Sequence, residues 1–285
     1  MIKGRFGWVF LLLILLCGCA DRQDIDTLAF VSGVAIDRMP GDEEYQVTFQ
    51  IINPAQISNQ GGKGGDGGKT VVTSYIGRGS SISEAMQEAQ SKLPRKLFFA
   101  HRQIWVIGER VARQGITNLF DITTRTQGGR FSMSVAIAKG GMASDVLDVL
   151  TVTEQIPAYK LHQTLEEKAK QTGLVIRTEL DDVVHGLVRE GVETIVSGVE
   201  ILGRAKQGET EKNVTQTKPT AVVKVDGLAL FRQGRLRKWV ADEEARGINF
   251  IKDRIENTYL QLPCKEKEDA IGIQITQSKA KIRPS

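Results

Sequence analysis

The chain has 285 residues, 41% hydrophobic and 25% charged, enough apolar material for one large or two moderate globular units, which excludes a disordered polymer. Its formal net charge is +4, falling to about +2 without Lys3 and Arg5, and so small a surplus gives no basis for nucleic-acid binding. Cysteines occur only at 17, 19 and 264, which excludes a disulfide framework and leaves the fold to its hydrophobic core.

Met1 to Gly7 carries Lys3 and Arg5 and no acid. An unbroken apolar run from Trp8 to Leu16 follows, then Cys17, Gly18 and Cys19, the charge, core and small-residue order of a secretory signal. A membrane-spanning helix needs roughly 20 apolar residues, and this run meets Asp21, Arg22 and Asp24 too early to supply them. Leu16-Cys17-Gly18-Cys19 resembles a bacterial lipobox. The resemblance implies cleavage between Gly18 and Cys19, with Cys19 becoming an S-diacylglycerol, N-acylated cysteine at the new N-terminus. Each buried methylene contributes about 0.8 kcal/mol, so two or three acyl chains tether a protein to a bilayer almost permanently. The rival, a plain signal with chance cysteines, leaves a freely secreted protein.

Val31 to Ile36 predicts a strand, joined through Met39-Pro40-Gly41-Asp42 to a second in which Tyr45, Val47, Phe49 and Ile51 alternate with Gln46, Thr48 and Gln50. That alternation is the pattern of a half-buried strand. Gly61 to Gly68 reads as a flexible loop, and Thr70 to Ile76 as a third strand. Ser81-Ile82-Ser83-Glu84 is a capping box, followed by Ile82, Ala85, Met86, Ala89 and Leu93 at helical spacing up to Pro94. Leu97 to Ile107 is strand-like in parts, Ile116, Leu119 and Phe120 suggest a helix, and Phe131, Met133, Val135 and Ile137 alternate as a further strand.

Ser144 and Thr178 each open a predicted helix, and Val192 to Leu202 reads as a closing strand. Residues 203–219 are polar with almost no apolar side chains, which predicts a linker. Beyond it come Val222 to Phe231, a Gln233-Gly234 turn, Leu236 to Val240, an acidic helix start at Asp242-Glu243-Glu244, and alternating Ile271, Ile273 and Ile275. The organisation expected is a signal peptide at 1–18, an N-terminal α+β domain at 19–202, a linker at 203–219 and a partial C-terminal α+β domain at 220–285. The class expected is α+β, with mixed or antiparallel sheets and flanking helices in two consecutive domains, the last incomplete.

Candidate chemistry is sparse. Gly68-Lys69-Thr70 invites a phosphate-loop reading, but the glycine required five residues earlier is Lys63, and a strand follows in place of a helix. Ser278-Lys279-Ala280-Lys281 has the serine and lysine of a penicillin-recognising enzyme without its partner motifs. No Gly-x-Ser-x-Gly elbow occurs, and His101, His162 and His185 have no second ligand at metal spacing. The adjacent acids 166–167, 181–182 and 243–244 diverge on a helix and read as solvated or helix-start charges. Cys264, followed by the charged Lys265 to Asp269, invites a reactive-thiol reading, but the sequence shows no helix start or histidine beside it. Asn213-Val214-Thr215 fits a glycosylation acceptor and marks an exposed linker. The residues therefore point to no catalytic site, no metal and no cofactor.

Several segments in order carry a family resemblance: the lipobox followed by Asp21-Arg22-Gln23-Asp24-Ile25, then Leu97-Phe98-Phe99-Ala100-His101 with Ile104-Trp105-Val106-Ile107-Gly108-Glu109, then Val225-Asp226-Gly227-Leu228-Ala229-Leu230-Phe231. Over nearly the whole chain they resemble the Ger(x)C lipoproteins, subunits of nutrient germinant receptors in spore-forming bacteria. The resemblance implies a non-catalytic protein, lipid-anchored through Cys19 on the outer face of the spore's inner membrane, that completes a receptor with two integral-membrane subunits of A and B type. His101 matches a recurring histidine of the family, expected to be structural. Family members continue beyond the segment resembling Ile271 to Ile282, so the chain is expected to be truncated relative to them. The alternative is a lipid-anchored solute-binding protein of a transporter, for which two lobes of repeated βαβ units are expected.

Overall fold

The computed structural model describes residues 27–39, 41, 43–54, 70–119, 133–263 and 270–281. The signal-like segment, Cys17, Gly18, Cys19, the glycine-rich stretch 61–68 and Cys264 lie outside the described residues.

Strands β1 (Leu28–Arg38), β2 (Tyr45–Ile52) and β3 (Val72–Gly79) form an antiparallel meander, and after helix α1 (Ile82–Ser91) strand β4 (Lys96–Gly108) returns parallel to β1. Next come α2 (Glu109–Gln114), β5 (Ser134–Ala138), α3 (Ala143–Asp148), α4 (Pro157–Thr172), β6 (Thr178–Glu179), α5 (Leu180–Val188) and β7 (Ile195–Gly203). Two short helices, α6 (Ala205–Gly208) and α7 (Lys212–Thr215), lead into β8 (Ala221–Arg232) and β9 (Arg235–Val240). Helix α8 (Asp242–Ile251) and the strands β10 (Thr258–Pro263) and β11 (Ala270–Ile275) follow.

Nine strands share one sheet in the order β3-β2-β1-β4-β5-β7-β8-β9, with β6 beside β5, while β10 and β11 form a separate antiparallel pair. The neighbours β1, β4, β5 and β7 are parallel, and antiparallel strands extend the sheet on both sides. The mixed sheet with flanking helices agrees with the α+β class. One face packs Ile36, Phe49, Ile107 and Ile137 under Ala85, Val111 and Leu180 from α1, α2 and α5. The other packs Ala35, Val106 and Ala136 under Val146, Leu161 and Leu165 from α3 and α4. Each fully buried Leu, Ile or Phe contributes roughly 1.5–3 kcal/mol, so this two-sided core carries the fold.

Helices on both faces correct the half-buried reading of β2. Gln46, Thr48 and Gln50 are buried along with the apolar set. Gln50 is satisfied internally: its Nε2 donates to Leu147 O (2.6 Å), and its Oε1 accepts from Ser32 Oγ (3.0 Å) and Ala158 N (3.2 Å). A buried polar side chain with its partners in place avoids the desolvation cost that would otherwise expel it.

The segment 203–219, expected as a linker, has structure of its own. It holds α6 and α7, and the strands on either side of it, β7 and β8, are paired neighbours in the large sheet. Asn213, expected to mark exposure, is 1% exposed. Its Nδ2 donates to Leu150 O (2.9 Å) and Ala221 O (3.0 Å), while its Oδ1 accepts from Ala221 N (2.9 Å) and Thr220 Oγ1 (3.0 Å). Most of the segment's other side chains face solvent, and the Asn213 amide supplies its buried polar anchor.

Two helix starts shift for reasons of capping. Helix α3 begins at Ala143 and not Ser144, because Asp37 from β1 supplies the cap. Thr178 belongs to β6, and α5 starts at Leu180 behind a capping box of Glu179 and Asp182. Helix α4, the longest described, has no counterpart in the sequence reading. Its buried stripe is Ala158, Leu161, His162 and Leu165, too weakly apolar to stand out, although Pro157 at its start and Gly173 at its end, with φ +64°, are standard punctuation.

Candidate functional site

In open α/β sheets ligands bind in the crevice beyond the carboxyl ends of the parallel strands. Here β1 ends at Asp37-Arg38, β4 at Gly108 and β5 at Ala138, followed by the loop Lys139-Gly140-Gly141-Met142 and helix α3. A glycine loop between a strand and a helix is the arrangement that cradles phosphates elsewhere.

The chain fills this crevice with its own side chains. Asp37, 2% exposed, accepts from Ala143 N (2.7 Å) and Ser144 N (2.9 Å). Glu109, the first residue of α2, accepts from Gly140 N (3.0 Å) through Oε2. Its Oε1 accepts from Trp239 Nε1 (3.0 Å) and from Arg113 Nε (2.9 Å) and Nη2 (2.5 Å). The Lys139 ammonium lies 5.8 Å from the centre of the Trp239 ring. The N–H groups of Gly140, Ala143 and Ser144 are therefore occupied by two carboxylates, and an indole from β9 is tied down beside them. Burial pushes the Asp37 carboxyl above its ordinary value, against the opposing pull of the two backbone donors. At Glu109 burial is the largest single influence and also pushes upward, but Trp239, Gly140 and Arg113 together outweigh it and hold the carboxyl below its ordinary value.

A serine, a histidine and a glutamate meet elsewhere. Ser134 Oγ lies 3.0 Å from His162 Nδ1, and His162 Nε2 lies 4.0 Å from Glu166 Oε2. Ser134 is fully buried in β5, and Glu166 is engaged by Lys170 at 3.1 Å and Arg177 at 3.6 Å. A nucleophile sealed from solvent, with its acid beyond hydrogen-bond reach, is not a working triad. The contact joins β5 to α4 as a buried polar pair.

Cys19 and the cleavage point expected before it lie outside the described residues; β1 begins at Leu28, nine residues further on. The backbone of His101 runs through β4 where the register jumps: five steps from Phe99 to Ile104 face two steps from Val31 to Gly33. His185 sits on α5 with its Nδ1 3.5 Å from Asp181 Oδ2. Ser278 Oγ donates to Ile255 O at 3.4 Å. Among the described residues no three His, Cys, Asp or Glu side chains gather as a metal set, and no helix is long and apolar enough to cross a membrane. Two small surface cavities are present, one of about 270 Å³ between Ala29, Ile51, Tyr75, Leu93 and Arg95 and one of about 150 Å³ between Thr178, His185, Thr194 and Lys252. Sequence reasoning missed the roles of Asp37, Glu109 and Trp239; Glu109 directly after the strand-ending Gly108 was the one available signal.

Residues 21–201 match the family model described as Spore germination protein N-terminal domain, and residues 226–285 match Spore germination B3/GerAC like, C-terminal. The chain is 31% identical over 278 residues to Spore germination protein KC of Bacillus subtilis (strain 168), covering 97% of this chain and 68% of that protein. It is 25% identical over 285 residues to Spore germination protein B3 of the same organism, covering 98% of this chain and 69% of that protein. Among solved structures the crystal structure of the GerBC protein aligns over 92% of this chain and 68% of its own, with a TM-score of 0.41 at 16% identity. The chain thus spans about two thirds of the length of these relatives. With one model matching most of the chain and the second matching the rest of it from residue 226, the chain belongs to the GerAC-like family of spore germination proteins.

Proposed function

We propose that the protein is a lipid-anchored subunit of a nutrient germinant receptor, held on the outer face of the spore's inner membrane by acyl chains on Cys19. In this reading it acts by assembling with two integral-membrane subunits of A and B type, and not by catalysis. Membership of a spore germination family supports the role. The observation that carries the non-catalytic part is the crevice at the carboxyl ends of the parallel strands, closed by Asp37, Glu109 and Trp239. The single large sheet speaks against a solute-binding protein, which would be expected in two lobes.

Affinity capture from detergent-solubilised spore membranes tests the assembly, and two polytopic membrane proteins are expected to co-purify. Recovery of the chain alone, carrying a small molecule, would favour the solute-binding alternative. Replacing Cys19 by Ala is expected to move the protein into soluble or unprocessed fractions, while Cys264→Ser leaves it in the membrane. A processed Cys19→Ala protein that stays in the membrane would remove the lipid anchor from the scheme.

A further inference from the structure

We infer that the end of the large sheet where β1 begins rests against an anionic bilayer surface, with Arg95, Lys96 and Phe98 as the contact. The inference rests on the lipid anchor proposed at Cys19. Leu28 follows Cys19 by nine residues, a tether that spans at most about 30 Å when fully extended. The anchor would therefore keep the β1 end within that distance of the membrane.

That end has the chemistry of a headgroup contact. Phe98, beside β1 through its register with Phe30, is 39% exposed, and the two rings meet edge to face at 5.5 Å. Arg95 and Lys96 precede it, both exposed, with no ion pair or hydrogen bond from their side chains among the described residues. Some cations elsewhere are paired with acids: Arg113 with Glu109, Lys224 with Glu200 and Asp226, and Lys206 with Asp145 and Glu209. Exposed aromatic rings beside basic side chains suit the interfacial region, where the ring reaches the acyl boundary and the cation pairs with lipid phosphate. The far end of β1 carries the exposed Glu43 in the connection to β2, which an anionic surface would repel.

The test uses the full, processed and lipidated chain with Cys264→Ser, in vesicles of phosphatidylglycerol and phosphatidylcholine containing a nitroxide-labelled lipid. A fluorophore is attached at Ser91→Cys, beside the proposed contact, or at Glu43→Cys, at the far end. Quenching at position 91 is expected to exceed that at position 43 by at least about twofold at low ionic strength, and to weaken as salt screens the contact. Reversing both charges with Arg95→Glu and Lys96→Glu is expected to bring the two positions to equality while the protein still pellets with the vesicles. Equal quenching at both positions in a pelleting protein, or a preference that survives charge reversal, overturns the orientation and leaves the anchor standing. A protein that stays in the supernatant overturns the anchor, and the orientation with it.

Discussion

Asn213 shows what one residue does when no apolar side chain is available to hold a segment down. Its amide makes four hydrogen bonds at under a tenth of full exposure, so its removal strands buried carbonyl and N–H groups at once. Asn213→Ala is expected to cost roughly 2–4 kcal/mol, read from the shift in urea midpoint, and Asn213→Asp a comparable amount because a carboxylate would face two carbonyl oxygens. A loss indistinguishable from zero would mean the corner is held by something else. The acidic pair in the crevice gives a prediction of sign. Glu109 sits below its ordinary value near 4.5, so its contribution is present above that pH and is lost as pH falls through the folded pKa. Asp37 sits above its ordinary value near 3.8, so its contribution is complete below that pH and is lost as pH rises through the folded pKa. Between about pH 7 and pH 3, Glu109→Gln should therefore lose less stability than the parent chain and Asp37→Asn should lose more. Denaturant midpoints across that range that moved the same way for both variants would contradict the assignment. Beyond the place of Glu109 directly after Gly108, these roles were not legible in the sequence, because each depends on a partner more than 30 positions away or, for Asn213, on a burial that a polar neighbourhood disguises.

At the scale of elements, most strands were readable, since β-branched and aromatic runs bounded by turn residues leave few alternatives. What alternation could not say is how many faces of a strand are covered: β2 and β5 carry polar residues on buried faces that bond to helices of the second layer. Helix α1 illustrates a further device. Ser81 caps it as expected, accepting from Glu84 N at 3.2 Å, and its last turn then guards the sheet edge. Glu88 accepts from Arg78 N (3.0 Å), Lys92 Nζ donates to Ile76 O (2.6 Å), and the two side chains pair at 2.7 Å, so outward-facing backbone groups of edge strand β3 are already taken. Replacing both by Ala should leave the thermal midpoint nearly unchanged, as exposed ion pairs contribute little, yet raise light scattering as the edge becomes available to other chains. The same helix requires Gly77, where an added Cβ would lie 2.0 Å from Ala85 O. Gly77→Ala is expected to destabilise by about 1–3 kcal/mol or more, because backbone meets backbone and no rotamer relieves it.

The whole molecule turns on the continuity of one sheet across the segment that composition marks as a linker. Both family models stop short of this corner, one at residue 201 and the other starting at 226, and yet β7 and β8 pair from Ile195–Leu230 to Gly203–Ala221. Hydrophobic patterning along the chain has no means of showing this, since strand neighbours are chosen by tertiary packing. Energetically the two strands beyond the corner are not an appendage. Leu228, Phe231 and Leu236 are buried at 0%, 4% and 3%, and at roughly 1.5–3 kcal/mol each they supply about 5–9 kcal/mol, comparable to the entire stability of an ordinary domain. A chain terminated after Leu202 would lose that burial and leave β7 as an open edge, so it is expected to aggregate or to bind a hydrophobic dye without a cooperative melt. A chain terminated after Pro263 keeps all nine strands of the large sheet and both of its core layers, and should melt cooperatively. If the shorter fragment folded as well as the longer one, the sheet would have to close without β8 and β9, and the two parts would be energetically separate despite their shared hydrogen bonds.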